Sequence, residues 1–185
     1  MKKNINIKIV SLRYEADTAA MNSTPTSDAE PEELKIYTSA VMTKTKEKVE
    51  IVYNEGELTG LEGSRTHLIF NPAEPDVFTM QRSGLATATM VFVPGMRHVC
   101  KYRTPVMPFE LMLTTHSLDN RLLDEGWLEV DYTTELGRTS HARTLLRIEI
   151  SDAAEDEEED APDADGAGKA AVAGKADKPK EGEEQ

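Results

Sequence analysis

The sequence predicts an all-β protein whose antiparallel strands close into a barrel. Three observations carry that prediction. Apolar and polar residues alternate singly through most of residues 4–150, the period of a strand with one dry face and one wet face. The alternating runs are short and are parted by turn chemistry at regular spacing: Asn71-Pro72, Ser83-Gly84, Pro94-Gly95 and Gly137-Arg138. The strand runs are not interleaved with helical patterns, and no glycine-rich phosphate loop follows any of them. Long alternating strands in a flat sheet would leave open edges, and closure removes them, so a barrel is expected over a sandwich.

Each element follows from its pattern. Asn4 to Leu12 sets Ile5, Ile7 and Ile9 against Asn4, Asn6 and Lys8, a half-buried strand. Glu15 to Glu33 is polar and holds Pro25 and Pro31; residues 15–33 are expected to form a long mobile loop. Leu34 to Thr45 resumes the alternation, with Leu34, Ile36, Thr38, Ala40 and Met42 on one face. A turn near Lys46 leads to Val49, Ile51 and Tyr53, which share the next inner face. Thr66 to Phe70 returns after a loop containing Gly56, Gly60 and Gly63. Strands are then expected over Val77–Arg82, Leu85–Val93, Arg97–Arg103 and Phe109–Thr115. Ser117 to Glu125 is the one stretch that reads as a helical turn, or else as a wide loop. Leu128 to Leu136 and Ala142 to Ile150 complete a set of about nine or ten strands.

After Ile150 the apolar pattern stops. Ser151 to Gln185 carries 13 Asp and Glu against 4 Lys, a net of −9; the whole chain is −13, which leaves −4 for residues 1–150. Val172 is the sole large hydrophobe of that stretch. It cannot bury enough surface to offset the entropy of ordering, so 151–185 is expected to be a disordered acidic tail on a 1–150 barrel domain. A negative body disfavours binding to nucleic acid and to anionic membrane. The lone Cys100 forbids an intramolecular disulfide and suits a reducing compartment. The alternating residues after Met1-Lys2-Lys3 do not make the apolar core of a signal peptide. A cytoplasmic location is expected.

The stretch from Tyr53 to Gly63 joins Tyr53-Asn54-Glu55 to Thr59-Gly60-Leu61-Glu62-Gly63, an aromatic and acidic strand end followed by a threonine-glycine turn. Arg82-Ser83-Gly84, then Met90-Val91-Phe92 with Gly95, continue the order. His98, Tyr102, Thr104 and Pro105 follow, and Gly126 precedes Leu128, Val130 and Tyr132. Over residues 34–150 this series resembles the YwiB-like family of small, uncharacterised bacterial β-barrels. Val106-Met107-Pro108 departs from the tyrosine-glycine that the family usually places after that proline. The resemblance implies a calycin/lipocalin-like antiparallel β-barrel; it implies no cofactor and no reaction.

Five polar-tipped residues, Tyr53, Arg82, His98, Tyr102 and Tyr132, are expected on or near inward faces. In a closed barrel they would converge on an interior able to hold one small ligand. An inward arginine favours a carboxylate or phosphate. The competing reading is that these tips satisfy one another. His98 and Cys100 lie two apart and point the same way, but a closed zinc site wants four ligands, and His67, His116 and His141 are scattered. A buried thiol beside a hydrogen-bonded imidazole is the expected reading, with no metal and no cofactor. Glu55, Glu57 and Glu62 flank the glycines and are expected to be solvated. Ser140-His141 and Thr115-His116 are neighbours, and neighbours on a strand face opposite ways, so no nucleophile meets its base. Arg97, Lys101 and Arg103 form a basic stripe without interleaved aromatics, which suits a charged edge strand more than nucleic acid. Trp127 falls on the face opposite Leu128 and Tyr132, as a cap or a contact residue.

The expected function is non-enzymatic: binding of a small amphipathic or acidic ligand inside the barrel. The alternative is a protein-interaction module that uses an outer face and the acidic tail to hold a protein partner.

Overall fold

The computed structural model describes residues 1–16, 30–137 and 140–153. Ten strands run in chain order: β1 Lys2–Ala16, β2 Glu32–Lys44, β3 Val49–Asn54, β4 Ser64–Asn71, β5 Glu74–Gly84, β6 Ala88–Phe92, β7 Arg97–Arg103, β8 Pro108–Arg121, β9 Trp127–Leu136 and β10 Ser140–Asp152. All pair antiparallel in one sheet of order β6-β5-β4-β3-β2-β1-β10-β9-β8-β7. The two terminal strands meet at a single bridge, Thr87 with Arg103, which exchanges two backbone hydrogen bonds of 2.9 Å. The expected all-β antiparallel barrel is therefore present, and it is nearly closed. Among the described residues no helix is long and apolar enough to cross a membrane.

The inner face is built in rows across the strands. Val49, Phe70, Phe78 and Phe92 stand opposite one another along β3 to β6. Ile51, Leu68, Met80 and Met90 make the next row. Both rows are buried, and with Ile5, Ile7, Leu128, Val130 and Ile148 from the far side they fill the middle of the barrel. Phe78 stacks on Phe92 at 5.6 Å between ring centroids, and Phe92 meets the edge of Tyr132 at 5.0 Å. The third row is Tyr53, Thr66, Arg82 and Ala88. The core turns polar there, two residues beyond the last wholly apolar row.

Three expectations need correction. Ser117 to Arg121 is not a helical turn; it continues β8, where Leu118 faces Val130 and Asn120 faces Leu128. A bulge between Thr115 and Ser117 shifts the inward set from odd to even positions. That shift breaks the period of two and mimics helical spacing in the sequence. Leu85 lies outside β6, exposed in the preceding turn. The ends of the expected 15–33 loop are strand: β1 runs on through Ala16 and β2 begins at Glu32, with Leu12 opposite Glu33 and Arg13 opposite Glu32. Pairing overrides the polar composition there, with β1 for Glu32 and Glu33 and with β10 for Glu15 and Ala16. Residues 17–29 of that loop, and the acidic tail beyond residue 153, lie outside the described residues.

The outer face of β9, β10 and β1 is a ladder of charges. Arg143 grips Asp131 with two bonds of 2.9 and 2.6 Å, Arg147 bonds Glu149 at 2.8 Å and Glu129 at 3.3 Å, and Lys8 reaches Glu149 at 2.9 Å. Trp127 lies outward as expected, under the Arg147 guanidinium at 4.8 Å, with its indole N–H donating to Glu125 at 3.0 Å. Of the basic stripe, Arg97 is paired with Glu135 at 2.8 Å, and Lys101 and Arg103 are exposed.

Candidate functional site

The polar row becomes a connected site through one residue that was expected to be solvated. Glu55 is buried, its side chain 1% exposed. The strand pairing continues past β3, since the Glu55 N–H donates to the Ser64 carbonyl at 2.9 Å. Val49, Ile51, Tyr53 and Glu55 therefore all turn inward on the same alternation. Glu57 and Glu62 are exposed, as expected.

The Glu55 carboxylate accepts from Arg82 Nε at 3.2 Å and from the Thr66 hydroxyl. Arg82 Nη1 donates to the Tyr102 hydroxyl at 2.9 Å, and Nη2 faces the Met80 sulfur at 3.9 Å. Tyr102 stacks on Phe109 of the neighbouring strand, centroids 5.1 Å apart and rings 6° from parallel. A chain Thr66–Glu55–Arg82–Tyr102–Phe109 thus spans from β4 to β8. Burial works against the Arg82 charge, but Tyr102, Glu55 and Tyr53 outweigh it and raise its pKa. Burial, then the Glu55 charge, pushes the Tyr53 phenol well above its ordinary value. Burial likewise raises the Tyr132 phenol.

Of the five expected residues, Tyr53, Arg82 and Tyr102 come together. Tyr132 is inward but stands apart, within reach of the Arg82 field and without a bond to it. His98 is elsewhere. Its Nε2 meets the Thr89 carbonyl at 3.3 Å on the far side of the β6–β7 junction. Cys100, two residues on along β7, is buried, and burial raises its thiol pKa. Among the described residues no three His, Cys, Asp or Glu gather as a metal site requires.

Two open cavities flank the chain. One, of about 330 Å³, is lined by Asn54, Glu55, Ser64, Arg65 and Gly84. The other, of about 550 Å³, is lined by Tyr102, Phe109, Thr104 and Pro108 with Lys101 and Glu110 at its edge. A larger groove of about 590 Å³ lies on the outside of β10, β1 and β2, and its polar lining includes Lys8, Tyr37 and Glu149.

Residues 20–148 match the model of a family described as "Domain of unknown function (DUF1934)". The chain belongs to that family. The DUF1934 match and the fold together bear out the YwiB-like resemblance read from Tyr53 onward. This DUF1934 barrel is similar to the crystal structure of the ywiB protein from Bacillus subtilis, with a TM-score of 0.57 and 18% identity over 81% of this chain and 93% of that one. At that identity the likeness speaks for the fold. No curated protein matches the chain.

Proposed function

We propose that the barrel binds a small amphipathic or acidic ligand at the Arg82 end of its interior. One observation carries the reading: Arg82 holds the Tyr102 hydroxyl at 2.9 Å, and the Tyr102 and Phe109 rings wall an open cavity. The Tyr102 hydroxyl, which accepts from Arg82, still has its own proton to give. An oxygen acceptor on a ligand takes that hydrogen bond, and its apolar part lies on the aromatic wall. Glu55 already balances the Arg82 charge, which tilts the site toward a mild acceptor with an apolar body over a multiply charged anion.

The reading extends to a cytoplasmic, non-enzymatic, calycin-like module. The lone thiol suits a reducing compartment, and the Glu55 carboxylate is already engaged by Arg82 and Thr66. The test is native mass spectrometry of gently purified protein, followed by a thermal-shift screen of a metabolite library. A bound mass, or a hit that weakens in Tyr102→Phe, supports the site. Bare protein in the first measurement and no hit in the second removes it.

A second reading, a protein-interaction module, draws on the exposed apolar tips Leu58, Leu85, Val106 and Met107. All four lie on connections that follow odd-numbered strands, and antiparallel order puts those connections at one end of the barrel. On this reading Val106→Ser with Met107→Ser reduces capture of a protein partner, whereas removal of residues 155–185 tests the share of the acidic tail. Unchanged co-purifying proteins in both variants count against it.

A further inference from the structure

We propose that the β6–β7 junction is an opening seam, and that the barrel exposes its interior there without unfolding. Every other strand neighbour in the sheet is joined by a ladder of residue pairs, five at β5–β6 and seven at β7–β8. At β6–β7 the ladder is the single Thr87–Arg103 bridge. In a regular antiparallel ladder the next pair along would be Thr89 with Lys101. Instead the Thr89 carbonyl meets a side chain, His98 Nε2, at 3.3 Å. One long side-chain contact stands where a backbone pair would be, so the junction is held more weakly than any laddered one.

Opening there is a local event with its own free energy, below that of global unfolding. Its reach is set by the site. Tyr102 lies on β7 and holds Arg82 of β5 across the seam at 2.9 Å. That bond and the Thr87–Arg103 bridge hold one end of the seam, the short connection over residues 93–96 joins the other, and parting of β6 from β7 between them uncovers Cys100. The inference does not depend on ligand binding; where a ligand binds, the same movement is its way in.

Cys100 is the sole cysteine of the chain and is 0% exposed, so its modification reports opening. The experiment labels native full-length protein with 5,5′-dithiobis(2-nitrobenzoate) over a range of low urea and follows global unfolding in parallel. The seam predicts labelling faster than global unfolding with little dependence on urea. His98→Ala then speeds labelling by about five-fold, the factor that one ordinary hydrogen bond supplies, lowers the urea midpoint by no more than that same loss, and keeps the labelling nearly independent of urea. A control, Cys100→Ala with Leu68→Cys, puts the thiol on β4 in a fully laddered part of the core. It is expected to react only through global unfolding. Labelling of Cys100 at the global unfolding rate with the same urea dependence overturns the proposal. So does a Leu68→Cys thiol that reacts as fast as Cys100.

Discussion

Glu55 and Arg82 form an ion pair across the inner wall of the barrel, Oε1 to Nε at 3.2 Å, with side chains 1% and 19% exposed. The pair joins the end of β3 to the end of β5 through Thr66 of the strand between them. Removing one partner leaves the other charge buried without its counterion. Arg82→Met is expected to cost about 3–5 kcal/mol, nearer the lower figure because Arg82 keeps some water. Glu55→Gln with Arg82→Met is expected to recover part of that loss, since two neutral side chains replace an unpaired charge. Urea denaturation of the two single variants and the double variant measures the coupling. Additive losses would show that the two groups do not act as a pair.

Tyr102 closes the other end of the same chain. Tyr102→Phe deletes the hydroxyl that accepts from Arg82 Nη1 and keeps the ring stacked on Phe109. A hydrogen bond to a charged group is worth about 1.5–3 kcal/mol, and the half-exposed setting places the expected loss at the low end. The same substitution removes a donor from the proposed ligand site. Its effect on ligand-induced thermal shift is therefore expected to exceed its effect on the unliganded midpoint.

Gly84 is a backbone requirement that the sequence shows only as part of a turn. Its φ is +110°, and a Cβ there would stand 2.5 Å from the Gly63 carbonyl oxygen and 3.0 Å from the Ser64 Cα. Both obstacles are backbone and neither yields cheaply. Gly84→Ala is expected to lose about 2–3 kcal/mol or more. Gly60 has φ +65° and open space around it, so Gly60→Ala is expected to cost about 1 kcal/mol. Thermal unfolding of the two variants side by side checks the difference. Equal losses would mean that left-handed backbone, and not the contact with Gly63, decides both.

Alternation of one residue in two was enough to place most inward side chains, Tyr53, Arg82 and Tyr102 among them. It failed where the strand geometry broke the count or outran it. The bulge after Thr115 reversed the parity of Leu118 and Asn120, and the spacing then resembled a helix. Glu55 kept the parity of Val49, Ile51 and Tyr53, but adjacent glycines and acids suggested a wet turn. Extending the strand by two residues would have found it. The partner of Glu55 was beyond reach of any local pattern, because Arg82 lies 27 residues on, on β5, with β4 between the two strands. His98 faces β6, the strand just before its own, and alternation carries no sign that these two consecutive strands meet at a single bridge and not along a ladder.

The buried phenols make stability depend on alkaline pH. Burial raises Tyr53 and Tyr132 above the ordinary value of 10.0 that each regains in the unfolded chain. Above pH 10 the unfolded state therefore releases protons that the folded state keeps, and stability falls as pH rises. Below pH 10 both states hold them, and the contribution is fully present. Each suppressed tyrosine gives a slope approaching about 1.4 kcal/mol per pH unit above that point. Urea midpoints measured from pH 8 to pH 11 are expected to be level at first and then to drop. Tyr53→Phe removes one of the two ionisations and is expected to lessen the drop by about half. Phenolate absorbance followed through the transition supplies the independent check, since two tyrosines should ionise together with unfolding. A midpoint that holds steady to pH 11, or a drop unchanged in Tyr53→Phe, would show that these phenols ionise in the folded barrel.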